Sequence, residues 1–485
     1  MSPGTAVTIG ESSPPRSAPT NTGIWFVTGL TDRGPADAAG TVRNIAEFEK
    51  KYGIRQSYSV LYDALDVFFR EGGSEAKIAR VVGPAPVKAL RTLVDRAGAP
   101  LNTLRVDAES AGAWGNNLTV EVINGVTANT FILIIRESGV EVERSPELAS
   151  PAAAVDWSVV SVNVNVVNLA SATVAPNNNP AVVAASAFTT GNDDRVNAVD
   201  AQWLAALNLF GRSLGPGQVS MPGRTTTTAH TDLLAHAQSR NRVALLDATD
   251  TVSDATLSAA AVAIRAATIH ERHGGFFAPW TKAPGILGGS ARDIPPSALS
   301  AGLMSRSDAA NSPNVPAAGD NGQARYVTTA KAAFTDTQRE ALNMAGVNIS
   351  REMYGGLRLY GFRTLVDPVL VPSWRSLASA RLFMKIISEG EAIAEGFVFD
   401  EIDGRGRKIA EYESMLTGML LGFYNVGSLY GETPEEAFRV ETGSMVNTPV
   451  TIADGQLKAV ISVKASPFAE MVVLEIIKVN NTEVL

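Results

Sequence analysis

Four groups of residues in this chain have types and spacings that could do chemistry. Gly217-Gln-Val-Ser-Met-Pro-Gly-Arg-Thr225 resembles a phosphate-binding loop, in which amides between two glycines cradle phosphates and a lysine pairs with them. Here five residues rather than four separate the glycines, and Arg224 stands where the lysine is needed, so no nucleotide site is expected. His270 and His273 could offer two imidazoles to a metal from one helix, but at the end of an expected helix they complement its dipole instead. His230 and His236 could join Asp232 or Asp247 and a serine in a hydrolase-like relay. No nucleophile elbow is recognised to present that serine, and capping and surface roles are expected for both. The pairs Gly72–Gly73, Gly274–Gly275, Gly288–Gly289 and Gly355–Gly356 lack the spacing of a dinucleotide fingerprint and read as turns. The expectation is therefore no enzyme, with no catalytic, cofactor-binding or metal residue and no cofactor.

Composition narrows the alternatives. A chain of 485 residues is expected to form about two to four domains. Charged residues are 19% and hydrophobic ones 45%, a globular profile. The net charge of −8 gives no general attraction to phosphate backbones, so no direct nucleic-acid partner is expected. The lack of cysteine removes disulfides and zinc–thiolate sites, leaving stability to packing and oligomerisation. Met1 to Thr20 has no basic start followed by an apolar core, and no run of 18 apolar residues occurs. Stable membrane insertion is thus not expected, and the chain reads as soluble and cytoplasmic unless released by lysis.

Periodicity supplies the elements that would position any functional residue. Residues 1–22 carry Pro3, Pro14, Pro15 and Pro19 with many Ser and Thr, which suits an extended arm with one strand-capable patch, Thr5, Ala6, Val7, Thr8 and Ile9. From Gly23 the order is a strand over Ile24 to Leu30, a helix over Leu61 to Arg70 with Leu61, Leu65 and Phe68 on one face, and a strand over Ala76 to Val82. Residues 104–193 alternate with period two, at Val120 and Val122, Val140 and Val142, and Val160 through Val166. No helix is read among them, and Pro176 to Pro180 is a turn. Helix and strand then alternate again, with Leu233 to Arg240 and Ala255 to Glu271 helical and Val243 to Leu246 and Gly275 to Pro279 extended. Right-handed crossovers and a mostly parallel sheet follow. Residues 283–322 are rich in Pro and Gly and read as a long loop, before a helix over Thr335 to Met344 and a strand over Leu357 to Thr364. Ser373 is expected to cap a helix with Leu377, Ala380, Met384 and Ile387 in line, and Ile409, Tyr412, Leu416, Met419 and Phe423 mark the next.

The last stretch is the most informative. Gly427-Ser-Leu-Tyr-Gly-Glu-Thr-Pro-Glu-Glu-Ala-Phe-Arg-Val440 holds an expected capping box, with Thr433 as N-cap, Pro434 at the first helical position and Glu436 reaching back. Leu457, Ala459, Ile461 and Val463 then alternate with Lys458, Ser462 and Lys464 as an amphipathic strand. Met471 to Val479, apolar on both parities, reads as a central strand. The fold class is α/β with an inserted all-β domain and a C-terminal α+β domain. Its divisions are an arm over 1–22, an α/β domain over 23–103 and 194–366, the insertion over 104–193, and the C-terminal domain over 367–485.

Fragments along the chain resemble contractile phage tail sheath proteins, a family shared with R-type tailocins and contractile injection systems. They are Pro3-Gly4, Thr28-Gly-Leu-Thr-Asp-Arg-Gly-Pro35, Phe68-Phe-Arg-Glu-Gly-Gly73, Ile78-Ala-Arg-Val-Val82 and Gly112-Ala-Trp-Gly-Asn-Asn-Leu118, then Gly215-Pro-Gly-Gln-Val219 and Asn241-Arg-Val-Ala-Leu-Leu-Asp247. After them come Pro295-Pro-Ser-Ala-Leu-Ser-Ala-Gly302, Ala345-Gly-Val-Asn-Ile349, Gly361-Phe-Arg-Thr-Leu365 and Gly431 to Val440, all in consistent order. The resemblance implies a homo-oligomer of hexameric rings stacked helically around a tail tube protein, with baseplate and tail terminator proteins at its ends. It also implies residence in a virion tail assembled in the host cytoplasm. It further implies that the Thr5 to Ile9 arm and C-terminal strand residues Leu457, Ala459, Ile461, Val463, Val473, Ile477 and Val479 are lent to neighbouring subunits. Arg375, Arg381 and Lys385 could face an acidic tube, a solvated helix face being the alternative.

Strand lending must be collective. About four backbone hydrogen bonds at ~1 kcal/mol and two buried aliphatics at ~1.5 to 3 are set against ~1 to 2 kcal/mol per ordered residue, so one arm alone binds barely and a lattice binds by avidity. Two other classes stay open: a decoration or receptor-binding protein that uses the inserted β domain, and a cytoplasmic α/β enzyme with insertions.

Overall fold

The computed structural model describes residues 21–470. The arm patch Thr5 to Ile9 and the C-terminal residues Met471 to Val479, with Val473 and Ile477, lie outside the described residues. At the centre is an eight-stranded mixed sheet. Its strands run, from one edge to the other, Gly356–Leu359, Val347–Met353, Gly274–Ala278, Val243–Asp247, Gln218–Ser220, Trp25–Leu30, Ala76–Val81 and Gly40–Val42. The six inner strands are parallel and the two edge strands antiparallel to their neighbours.

Ahead of the insertion lie helices α1 (Ile45–Tyr52) and α2 (Leu61–Arg70), and α3 (Pro151–Ser158) lies within it. Then come α4 (Asp200–Asn208), α5 (Thr227–Arg240), α6 (Asp254–Ala266), α7 (Pro296–Ala310) and α8 (Asp336–Ala345), followed by α9 (Leu377–Glu395), α10 (Arg407–Asn425) and α11 (Pro434–Ala437). Period-two alternation in the first strand sorts the two cores. Trp25 and Val27 pack with Phe48, Leu65, Phe68, Leu299 and Leu377 under α1, α2, α7 and α9. Ile24 and Phe26 pack with Leu207, Leu233, Leu257 and Leu342 under α4, α5, α6 and α8. Both faces are covered, which is why inner strands such as Trp25–Leu30 and Val243–Asp247 read as largely apolar runs.

Several expectations need correction. Residues 283–322 are not a loop: α7 supplies fifteen helical residues there, and it is buried on nearly every side. It has no polar stripe, so periodicity could not reveal it. The strand Val347–Met353 is absent from the reading because Asn348 and Ser350 are polar yet buried. The helix expected to reach Glu271 stops at Ala266. The N-cap of α9 is Ser376, not Ser373, which lies in a preceding 3-10 turn, and Ile387 faces outward. Thr433 is the N-cap of α11, but Glu436 accepts from the amide of Glu432 (3.0 Å), so the box does not close on Thr433.

Strand pairing joins residues ahead of 104 to those expected in the insertion. The strand Leu90–Val94 pairs with Asn102–Ala108, which pairs with Val164–Asn168. A second antiparallel sheet orders Val183–Ala187, Leu118–Asn124, Phe131–Glu137 and Val140–Arg144. A helix does interrupt these strands: α3 is N-capped by Ser150 and starts on Pro151. Val164 and Val166 are buried in the core with Leu104, Trp114 and Phe131, whereas Val140, Val142, Val160 and Val162 face solvent. Toward the C-terminus, α9 and α10 pack with a hairpin of Phe438–Glu441 and Val460–Val463 around Leu382, Leu420, Phe423 and Phe438.

Candidate assembly surfaces

An open parallel sheet offers a ligand crevice at the carboxyl ends of its strands, beside the point where strand order reverses. Here the first strand lies between Ala76–Val81 and Gln218–Ser220, so the reversal falls at its end. The chain fills that crevice itself. Asp247, at the end of its strand, is buried and accepts from the amides of Ser297 (2.6 Å) and Gly223 (2.9 Å) and from Ser297 Oγ (2.9 Å). It caps α7 from a distant part of the sequence, and burial pushes its carboxyl up to about 6 against those bonds. Trp280 Nε1 donates to the adjacent Ala248 carbonyl (2.7 Å).

The two histidines that imitate a hydrolase relay are occupied in packing. His230 Nε2 meets the backbone carbonyl of Asp247 at 3.0 Å rather than its carboxylate, and burial lowers its pKa to about 4. His236 is buried too, lowered to about 3 by burial and then by Arg242, whose Nη1 lies 2.9 Å from its Nε2. Neither histidine is at the surface, contrary to expectation. Asp232, within α5, has its carboxyl raised, first by burial and then by Asp200. Contrary to expectation, an elbow-like spacing does occur, at Gly211-Arg-Ser-Leu-Gly215. Ser213 there is exposed in a 3-10 turn after α4, with no strand leading into it.

The phosphate-loop mimic enters the buried strand Gln218–Ser220, and a Cβ at Gly217 would stand 2.3 Å from the Ile24 carbonyl. Arg224 pairs with Asp200. His270 and His273 are not on a regular helix, and His273 is lowered to about 4 by burial, then by Arg272. Gly274 and Gly275 lie inside a strand rather than in a turn. Among the described residues no cluster of three metal-ligating side chains occurs, and no helix is long and apolar enough to cross a membrane.

A polar junction ties the insertion to the sheet. Arg80 is buried and donates from Nη1 to the Gly34 carbonyl (2.9 Å) and from Nη2 to that of Asp32 (3.2 Å). Gly34 N donates to Ser110 Oγ (3.0 Å), Arg33 pairs with Glu137 (3.3 Å), and its guanidinium lies 5.6 Å over the Trp114 ring. Three of the fragments that carry the family resemblance, around residues 28–35, 78–82 and 112–118, meet in this one place.

No family model matches the sequence, and no curated protein matches it. Solved structures do match. A sheath tail protein from Listeria innocua superposes with a TM-score of 0.61 at 13% identity, over 89% of this chain and 90% of that one. One from Desulfitobacterium hafniense gives 0.55 at 14%, over 90% and 93%. The helical sheath of the anti-feeding prophage in its contracted state gives 0.56 at 15%, over 98% and 99%. The chain has the contractile-sheath fold.

Within that fold the expected assembly residues fall unevenly. Leu457, Ala459, Ile461 and Val463 keep the period-two alternation, half-buried between the exposed Lys458, Val460, Ser462 and Lys464. Ile461 and Val463 sit in the strand that pairs with Phe438–Glu441 of the same chain. That two-stranded sheet has no third strand among the described residues. Arg375 is half-exposed beside Glu470 (3.6 Å). Lys385 lies 5.7 Å over the Phe423 ring and 3.8 Å from Glu389. Arg381 is wholly buried and paired with Asp308 (2.5 Å), so the expectation that it faces a tube is overturned by its burial.

Proposed function

We propose that this chain is the structural subunit of a contractile tail sheath. In this reading it polymerises as stacked hexameric rings around a tail tube and shortens to drive the tube through a target envelope. The observation that carries the reading is fold likeness over nearly the whole chain, including the anti-feeding prophage sheath in its contracted state. At the sheet's carboxyl ends Asp247 is engaged by the amides of Ser297 and Gly223, a packing role that is consistent with a structural subunit.

The Thr5 to Ile9 arm and the strands carrying Leu457, Ala459, Ile461, Val463, Val473, Ile477 and Val479 link subunits by strand addition, which the two-stranded hairpin supports by offering an edge. Partners are other copies of the chain, a tail tube protein, and baseplate and tail terminator proteins, in a tail assembled in a host cytoplasm. Arg375 and Lys385 are the tube-facing candidates that retain exposure. The chain divides into an arm, an α/β body, an inserted β unit and a C-terminal unit, with the insertion starting near residue 84 rather than 104. Shortening uses rigid-body movement between two packings, without nucleotide hydrolysis.

Negative-stain electron microscopy of the purified protein with and without residues 1–20 tests this. Hollow striated tubes from the full chain and single particles from the truncated one are expected. Single particles from both, even with tube protein added as template, would overturn the sheath reading, and tubes from both would remove the arm as linker.

A further inference from the structure

The first described contacts of the chain are made with the last turns of α7. Thr22 is buried, and its Oγ1 donates to Asp308 Oδ2 at 2.6 Å. Asn21 Oδ1 accepts from Gly23 N at 2.9 Å, and a Cβ on Gly23 would stand 3.1 Å from Ser305 Oγ. The chain is thus pinned where it leaves the segment 1–20. The same oxygen, Asp308 Oδ2, accepts from Arg381 Nη2 of α9 at 2.5 Å.

Arg381 is fully buried, and Asp308 is its one ion-pair partner among the described residues. A guanidinium held out of water depends strongly on the position of its single carboxylate. Hydrogen bonds that share an acceptor in a low-dielectric site also respond to one another. The helix that carries Arg381 belongs to two cores. Leu377, Ala378 and Met384 pack in the α/β body, and Leu382 and Ile386 pack in the C-terminal unit.

We propose that Asp308 couples the two ends of the molecule, so that displacement of the chain at Thr22 is passed through one carboxylate oxygen to α9 and the unit it carries. The coupling is a property of the single chain and does not depend on the sheath reading. Its mechanical use does: where a neighbour holds segment 1–20, a pull on it reaches the C-terminal unit. Thr22 and Arg381 are positioning residues for this relay. Reciprocity is required, since loosening either end must loosen the other.

Hydrogen exchange by mass spectrometry on the full-length protein, before any assembly, reads this directly. Thr22→Val removes the hydroxyl at constant shape and is expected to speed exchange across residues 377–386 by about tenfold, the effect of one lost hydrogen bond. Thr22→Ser is expected to restore the wild-type rate. Arg381→Lys is expected to speed exchange across residues 21–30, and the double variant Thr22→Val with Asp308→Asn to show less than the product of the single effects. Faster exchange confined to residues 21–30 in Thr22→Val, or no response of those residues to Arg381→Lys, would overturn the coupling. The sheath reading would stand either way.

Discussion

Several buried charges in this protein, among them Arg80, Arg242 and Asp247, are satisfied by backbone groups, and Glu71 is the clearest case. Its carboxylate accepts from the amides of Arg325 (2.9 Å), Tyr326 (2.8 Å) and Val327 (3.0 Å), and Arg306 lies at 3.3 Å. Removing it strands three amides and a cation, so Glu71→Ala should cost about 3 to 5 kcal/mol. In a urea melt the midpoint should drop accordingly, and trypsin should cut at Arg325 in the variant first. Glu71→Gln keeps an acceptor and should lose less. The sequence shows Phe68-Phe-Arg-Glu-Gly-Gly73 as a fragment but gives no sign of this role, because the partners are some 250 residues away. Charge also sets a pH dependence. His230 and His236 are held below their ordinary value of 6.5, at about 4 and about 3, so the stability they contribute is present above 6.5 and lost as pH falls toward 4. Asp247 is raised from 3.8 to about 6, so its contribution has the opposite sign: present below 3.8 and lost as pH rises through 6. The two histidine shifts together exceed the one aspartate shift, and at about 1.4 kcal/mol per pH unit the net effect is loss on acidification. The urea midpoint should therefore fall from pH 7 to pH 4.5. His236→Gln, which keeps an acceptor for Arg242, should flatten that fall, and an unchanged slope would show that another group governs it.

Elements whose order is set locally were legible, and those set by distant partners were not. The span of α2 agrees with its reading residue for residue, and α8 carries the Thr335 and Gln338 capping box in its own sequence. By contrast α7 takes its N-terminal partner, Asp247, from a strand some fifty residues earlier, and its sides are small residues that let α2 approach. Gly302 marks the closest point: a Cβ there would stand 2.6 Å from Glu71 Cβ and 3.1 Å from the Phe68 carbonyl. Gly302→Ala must push two buried helices apart and should cost about 1 to 3 kcal/mol despite the better helix propensity of alanine. Gly418, in the middle of α10, meets nothing within 4 Å. Gly418→Ala should instead stabilise by up to ~1 kcal/mol, from propensity alone. A pair of thermal melts decides the matter, since shifts of the same sign would mean that the close contact at Gly302 does not govern its packing.

At the scale of the whole molecule, the insertion and the C-terminal unit differ in independence. Alternation in the sequence signals the strands of the insertion, but Leu90–Val94 is recognisable only through its pairing with Asn102–Ala108. The insertion's ends lie side by side, with Gly83 N donating to the Asp193 carbonyl (2.8 Å) and Val87 pairing with Asn192. It has its own core, and its ties to the body include one ion pair and one ring contact at Arg33. Residues 84–193 should accordingly fold alone with a cooperative melt, and replacing 85–192 by a short Gly-Ser linker should leave the rest folded at a lower melting temperature. Residues 367–470 should not fold alone, because Leu377, Ala378 and Met384 of α9 belong to the core of the body and would be exposed; dye binding to exposed apolar surface would report it. On the sheath reading the linker variant should still polymerise, since the arm and the C-terminal hairpin both lie outside the deleted residues. A folded linker variant that forms no tubes would instead place lattice contacts on the insertion, whose solvent-facing Val140, Val142, Val160 and Val162 would then be the first residues to exchange for polar ones.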